Sequence, residues 1–415
     1  MHFSKLFGAT LLTRLAGAAQ DDVQQPLSSG YQSTSAGSSD VPAWRDSLLS
    51  LHRSLVEIAS VTGTEADVGK FLVDYLNQRG YTAVPQFVPP RDDAADGAPR
   101  FNVLASKGPV RDLAAHVVVS SHIDVVPPHI PYGIEKGPVT EDTLIWGRGS
   151  VDAKASVAAQ IQAHENLIAS GAIDDNDVLL LFVVGEERWG DGMRAFSDSI
   201  AELDPRPRID AVIFGEPTEN KLACGHKGGV FCDLTARGVA GHSGYPWLGK
   251  SANELLVRAF YKILETDLGS DERFGNTTFN IGRFDGGVAA NVIPDHAITK
   301  IAARVAIGPE DKGGEIVKGR IEAILNEIDE EAFSLECSHG YGVVEANCDV
   351  EGFETAVMNY GTDIPNLKGD HVRYLYGPGS ILVAHGDHEN LTVADLEVAV
   401  KGFEKLILHA LSESS

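Results

Sequence analysis

Three short stretches constrain the fold of this chain more than any other feature. "AAHVVVSS", "DVLLLFVV" and "DAVIF" each hold a core that is apolar without a break. A strand with one face in water alternates apolar with polar residues, so unbroken runs predict strands covered on both faces. Between the first two lies "DAKASVAAQIQAHENLIASG", an amphipathic helix closed by Gly171. Strand–helix–strand alternation predicts an α/β fold built on a mixed, largely parallel sheet flanked by helices. Sites in such sheets form in the crevice beyond the carboxyl ends of the strands.

Ionisable residues follow each of these runs. His122 and Asp124 come after "HVVVSS", Glu186 and Glu187 after "LLLFVVG", and Glu216 after "AVIFG". His385 follows "GSILVA", a further run that reads as a strand, and "IWGRGSVDAK" sets Asp152 just ahead of the helix. Taken singly, each has an ordinary reading. His122 could be a satisfied surface or core histidine, and a glutamate pair a solvated helix face. Asp152 could be a helix cap and Glu216 a turn residue before Pro217. Brought together, so many ionisable groups are unfavourable unless cations or hydrogen bonds compensate them.

Mixed histidine and carboxylate donors suit zinc, with Co2+ or Mn2+ as possible substitutes. His122, His385, Asp152, Glu187 and Glu216 are enough for two ions bridged by one carboxylate. Asp124, two residues past His122 and on the same side of an extended segment, is placed to hold that histidine in its metal-binding tautomer. Glu186, beside Glu187 and free to point elsewhere, is the candidate general base for metal-assisted hydrolysis.

A chain of 415 residues exceeds one ordinary core, so two domains are expected. Residues 1–18 carry Lys5, an apolar stretch and Ala16-Gly17-Ala18, the pattern of a signal peptide. Residues 19–43 are Ser-, Gly- and Gln-rich and read as a flexible linker or pro-segment. Residues 44–226 and 342–415 are read as the catalytic domain. Its first helix carries Leu48, Leu51, Leu55 and Ile58, and a second follows a T-x-x-D cap at Thr64.

From residue 227 to 341 the texture changes. "GGVFCDLTARGV" alternates like a half-exposed strand, and "SANELLVRAFYKILET" opens on a Ser251–Glu254 capping box. This segment reads as an inserted α+β domain. Cys224, Cys232, Cys337 and Cys348 allow two disulfides of undetermined pairing. Sequons stand at Asn276 and Asn390; a glycan on Asn390 would crowd His385, which makes Asn276 the better candidate. Together these features point to a secreted, extracellular protein. The net charge of −25 argues against a nucleic-acid partner. No stretch beyond the N-terminus is long and apolar enough for a membrane span.

From about Trp44 to its end, the chain resembles the two-zinc metallopeptidase and amidohydrolase family. That family includes glutamate carboxypeptidase, aminoacylase, acetylornithine deacetylase and succinyl-diaminopimelate desuccinylase. The motifs that carry the resemblance are "SSHIDVVP", "WGRGSVDAK", "VVGEERWG", "FGEPT", "GHSGYP", "NVIP" with a later arginine, and "YGPGS…AHGDHE". It implies a zinc-exopeptidase-like catalytic domain with two Zn2+ per subunit. His122 and Glu216 would hold one ion and Glu187 and His385 the other, with Asp152 bridging. Glu186 would activate the water and Asp124 would orient His122. The inserted domain would be a lid and a dimerisation surface, which makes a homodimer possible. His242 would stabilise the oxyanion, Asn291 and Arg304 would bind the substrate carboxylate, and Gly379 would line the pocket. Without the family, His242 reads as a plain loop histidine. Arg304, a charge in an apolar strand, leaves two readings open: a substrate carboxylate or a structural ion pair. One departure stands out, Ala153-Lys154-Ala155, where relatives often carry a bulkier residue, lysine and glycine.

The expected activity is that of a secreted zinc metallocarboxypeptidase acting on peptides. Alternatives are an N-acyl-amino-acid deacylase of the same family and a two-zinc aminopeptidase. A binding protein that kept the fold but lost catalysis would be marked by loss of Glu186 or a ligand, and neither is lost.

Overall fold

The three apolar runs are neighbours. In a computed structural model, which describes residues 41–91, 97, 99–110, 115–338 and 340–413, strand Val117–His122 is the middle one. It runs parallel to Val178–Val183 on one side and to Ala211–Gly215 on the other. Val372–Tyr376 adds a further parallel strand beside Ala211–Gly215. Antiparallel strands Phe101–Ser106 and Thr82–Phe87 extend the sheet beyond Val178–Val183. The candidate signal peptide, 1–18, and residues 19–40 of the linker lie outside the described residues.

Side chains along these strands alternate between two apolar layers. Val117 and Val119 join one cluster with Leu48, Leu55, Leu72, Ile161 and Phe403, whereas Val118 joins Met193, Phe196 and Phe214 on the opposite face. The period of two therefore survives, but both phases are apolar because both faces are covered. Fully burying one such leucine or phenylalanine contributes about 1.5–3 kcal/mol relative to exposure. Helix Lys154–Ser170 is buried along its first eleven residues, and Gly171 ends it at φ 68. That helix packs against Arg45–Glu57 and Val393–Glu413. Among the helices of the described residues, none is long and apolar enough to cross a membrane.

Two local expectations are corrected. "GSILVAHGD" is a run of turns, not a strand, because Gly379 at φ 76 and His385 at φ 63 take the left-handed conformation. The strand in this region is Val372–Tyr376. The Thr64 hydroxyl donates to the carbonyl of Val61, so it does not cap the helix Ala66–Gln78.

Residues 228–337 include a second, four-stranded antiparallel sheet, ordered Thr278–Gly286, His296–Val305, Gly228–Arg237, Phe333–Cys337. Helices Ala252–Leu264 and Gly313–Ile328 bury Leu256, Ile263, Ile321 and Leu325 against it. The Ser251 hydroxyl caps the first of them by accepting the Glu254 N–H at 3.3 Å. The four cysteines form Cys224–Cys348 and Cys232–Cys337, with Cα separations of 4.8 and 4.0 Å.

Candidate metal centre

Parallel strands deliver their carboxyl ends to one edge, and the ionisable residues collect there. His122 ends its strand, Glu216 directly follows Ala211–Gly215, and Glu186 and Glu187 follow Val178–Val183. Asp152 enters from the turn before helix Lys154–Ser170, and His385 from the turns after Val372–Tyr376.

The two carboxylate oxygens of Asp152 face different histidines. Oδ1 lies 2.9 Å from His122 Nε2 and Oδ2 lies 3.2 Å from His385 Nε2. Glu187 stands on the His385 side, 3.0 Å from Nε2, and Glu216 on the His122 side, 3.8 Å from Nε2. Donor atoms of His122, Glu186 and Glu216 lie within 4.8 Å of one another, as do those of His122, Asp152 and Glu187.

Crowding perturbs every group. Burial and the charge of Glu216 push Glu186 well above its ordinary range. Burial carries Glu187 and Glu216 up to about 7 against the pull of the histidines. Burial would raise Asp152 as well, but hydrogen bonds with His122 and His385 hold it well below the usual carboxylate range. Hydrogen bonds to Asp152 and Glu187 push His385 up to about 10. Burial would lower His122, yet the charge of Glu216 and the neighbouring carboxylates of Asp124 and Asp152 carry it well above its ordinary value. Protons and divalent cations compete for such donors. Four carboxyls around two imidazoles exceed the positive charge those imidazoles can supply. With both imidazoles neutral, as metal ligation requires, the four carboxylates carry the charge that two divalent ions would balance, so the donor set fits two such ions.

The second layer of contacts differs from the expectation for Asp124. His122 Nδ1 lies 2.9 Å from the Asp124 carbonyl oxygen and 3.6 Å from its carboxylate. The carbonyl thus fixes the tautomer, leaving Nε2 toward Asp152. The carboxylate instead accepts the N–H groups of Glu186 and Glu187, at 3.0 and 3.2 Å, and the Thr62 hydroxyl at 2.8 Å. Asp124 therefore ties the histidine strand to the glutamate turn. Gly185 permits that turn: it sits at φ 75, and a Cβ there would lie 2.2 Å from Asp191 Oδ1.

The remaining candidates lie elsewhere. His242 pairs with Val292 in the ladder of Gly241–His242 with Val292–Ile293, and Asn291, just ahead of that strand, accepts the Ser243 N–H on its carbonyl. Among the described residues, no hydrogen bond, ion pair or ring contact links either to the His122–His385 cluster. The Gly244 N–H donates to His242 Nδ1 at 3.0 Å, so the neutral imidazole carries its proton on Nε2. Arg304 pairs with Gly229 in the smaller sheet and stacks on Phe231 at 5.6 Å. It has no salt bridge among the described residues. Gly379 packs on Val151, and with Asn390, Glu219, Ser380 and Asp395 it lines a cleft. Asn276 is exposed, and its carbonyl accepts Lys227 Nζ at 2.7 Å.

Sequence reasoning missed Arg148 and Glu389, a buried pair 2.7 Å apart behind Asp152 and His385. The signal available was a charge inside the glycine-rich "WGRGS", which no periodicity marks.

Comparison with known proteins identifies the family. The profile described as peptidase family M20/M25/M40 matches residues 118–409. A peptidase M20 domain-containing protein of Sordaria macrospora is 56% identical over 91% of this chain and 88% of its own length. A probable carboxypeptidase of Aspergillus fumigatus is 44% identical over 89% of this chain and 88% of its own. A Staphylococcus aureus tripeptidase shares the fold with a TM-score of 0.69 at 21% identity, covering 89% of this chain and 99% of that one. A dinuclear metal-binding peptidase of the M20 family from Bacillus subtilis shares it at 0.59 and 14%, covering 89% and 99%. With two histidines and four carboxyls gathered at the strand ends, the chain belongs to the M20/M25/M40 peptidases and is a metal-dependent hydrolase of that family.

Proposed function

We propose that the protein is a secreted zinc carboxypeptidase that hydrolyses the amide bond next to a free substrate carboxylate. The observation that carries this is Glu186. Its carboxyl lies within reach of His122 and Glu216, its N–H is fixed by Asp124, and its pKa is raised. A carboxyl so placed serves as base and then as acid. Zn2+ ions held by His122, Asp152, Glu187, Glu216 and His385 would polarise the scissile carbonyl and acidify the attacking water. Glu186 accepts the proton that water loses as the new C–O bond forms, and returns it to the leaving nitrogen as the C–N bond breaks. His242 Nε2–H donates to the carbonyl oxygen as it gains charge. Arg304 and Asn291 receive the substrate carboxylate; that Arg304 stacks on Phe231 with no ion pair among the described residues, and that fungal relatives are named probable carboxypeptidases, support that reading.

Secretion is supported by the signal-like residues 1–18, by two disulfides that use all four cysteines, and by an exposed sequon at Asn276. Two copies associate through the smaller module. Thr278–Gly286 is an edge strand there, and Val257, Tyr261 and Leu264 are exposed on the helix Ala252–Leu264. Light scattering on the secreted form tests this, and a monomer mass at all concentrations would exclude it.

The activity test uses the zinc-dialysed protein with amino-blocked dipeptides, free dipeptides and N-acetyl amino acids, products being identified by mass spectrometry. Release of the C-terminal amino acid from blocked peptides, abolished by a chelator and restored by Zn2+, is the expected result. Cleavage confined to N-acetyl amino acids would make it a deacylase. Cleavage confined to free amino termini would remove the carboxylate role of Arg304.

A further inference from the structure

We propose that Arg148 and Glu389 are positioning residues, a buried bracket that fixes Asp152 and His385 in the geometry needed for metal binding. This rests on the reading of those two residues as ligands. Arg148 is 1% and Glu389 2% exposed. Glu389 uses one oxygen for Arg148 Nη1 at 2.7 Å. Its other oxygen accepts the N–H of Val151 at 3.0 Å and of Asp152 at 3.1 Å. Arg148 directs its remaining donors at carbonyls: His385 at 3.3 Å, Gly386 at 3.1 Å and Pro128 at 3.3 Å. One ion pair thus holds the backbone on both sides of the site and the loop that follows His122.

Stability alone is a weak reason for such a pair, since apolar residues of similar volume often do as well or better. The contacts point to placement instead. The side chain of His385 is 52% exposed, and its backbone adopts φ 63 within a run of turns. Packing cannot immobilise a half-exposed imidazole, and a non-glycine residue in the left-handed region needs its surroundings to hold it. The hydrogen bonds from Arg148 to its carbonyl and to the next one supply that restraint from behind. Arg45 and Glu397 form a contrasting buried pair: they bond to each other, and among the described residues neither side chain has a hydrogen bond or ion pair with a ligand-bearing segment.

The experiment titrates the full chain, cleared of metal, with Co2+ against a competing chelator and records the visible spectrum. Wild type is expected to take up two ions. Glu389→Gln should weaken at least one ion by about 10- to 100-fold and change the Co2+ spectrum. Glu397→Gln should leave affinity and spectrum as in wild type, whatever it does to stability. Arg148→Lys, which keeps the charge but loses the fork, is read in the same way and decides the matter where Glu389→Gln yields no folded protein. Two-site binding of wild-type affinity in the variants overturns the bracket alone, as does an equal loss in Glu397→Gln. A wild-type chain that binds fewer than two ions overturns the metal reading and the bracket with it.

Discussion

Gly229 and Tyr341 each donate their backbone N–H to the other's carbonyl, at 3.2 and 3.1 Å, where the chain enters the smaller α+β module and where it returns. The two crossings lie backbone to backbone: a Cβ on Gly228 would sit 2.1 Å from the Tyr341 carbonyl oxygen. Cys232–Cys337 closes this ribbon on the module side and Cys224–Cys348 on the side of the large sheet. The short segments between the bridges hold Gly225, Gly228, Gly229, Gly340 and Gly342.

Stability should register this clamp. Cys232 and Cys337 are 105 residues apart, so their bond closes a long loop in the unfolded chain. A loop of that order is worth about 4.7 kcal/mol in the chain-entropy account, and less where Cys224–Cys348 already ties the flanking chain; measured values are commonly about 2–4 kcal/mol. Replacing both cysteines by serine is expected to lower the unfolding free energy by about 3 kcal/mol in urea. Amide exchange should quicken in Gly228–Arg237 and Phe333–Cys337. An unchanged midpoint would show that the bridge constrains neither state.

Glu186→Gln removes the proton carrier while keeping the shape of the side chain. General acid–base catalysis is typically worth about 100- to 10,000-fold. A fall in kcat of that size is expected, with bound metal unchanged by elemental analysis. Retention of wild-type turnover would dismiss Glu186 as the base.

His242 and Arg304 separate in kinetics. His242→Ala is expected to lower kcat by about 100- to 1000-fold, the usual cost of one oxyanion donor. An unchanged turnover rate would remove that assignment.

Arg304→Met should act on binding. KM is expected to rise for substrates with a free carboxylate, while C-terminally amidated analogues should be handled as they are by the wild-type enzyme. If both substrate types weaken equally, Arg304 has a structural role.

Much of the site was legible because strand ends are. Unbroken apolar runs mean doubly covered strands, parallel strands share a carboxyl edge, and the residues after each run therefore meet. His122, Glu186, Glu187 and Glu216 follow from that chain of reasoning, whereas Asp152 enters from the turn ahead of a helix. The approach to His385 was not legible. "SILVA" has the composition of a strand, yet Gly379 and His385 turn the chain, while Val372–Tyr376 is a strand with Arg373 in it. Local composition cannot announce a left-handed residue held by a distant arginine. Nor can it rank the three pairings open to four cysteines, which only the crossing of two remote segments decides.

Acid should weaken the fold through its buried histidines. His164 is fully buried beside the Tyr81 hydroxyl, which lies 2.7 Å from Nδ1. Burial, with a smaller push from Lys107, lowers its pKa from 6.5 to about 3. His52 and His371 are lowered to about 4 by the same cause. Below 6.5 the unfolded chain binds a proton that native His164 refuses, so the stability it contributes is whole above that pH and is lost as pH falls toward 3. Between pH 7.5 and 4.5 the loss from this one group is about 2–3 kcal/mol. His164→Leu costs the bond to Tyr81 at every pH but cannot titrate. The gap in unfolding free energy between wild type and variant, both cleared of metal by a chelator, should therefore shift by the same 2–3 kcal/mol, roughly, in the variant's favour on acidification. A gap that stays constant from pH 7.5 to 4.5 would mean that His164 titrates alike in the folded and unfolded chains.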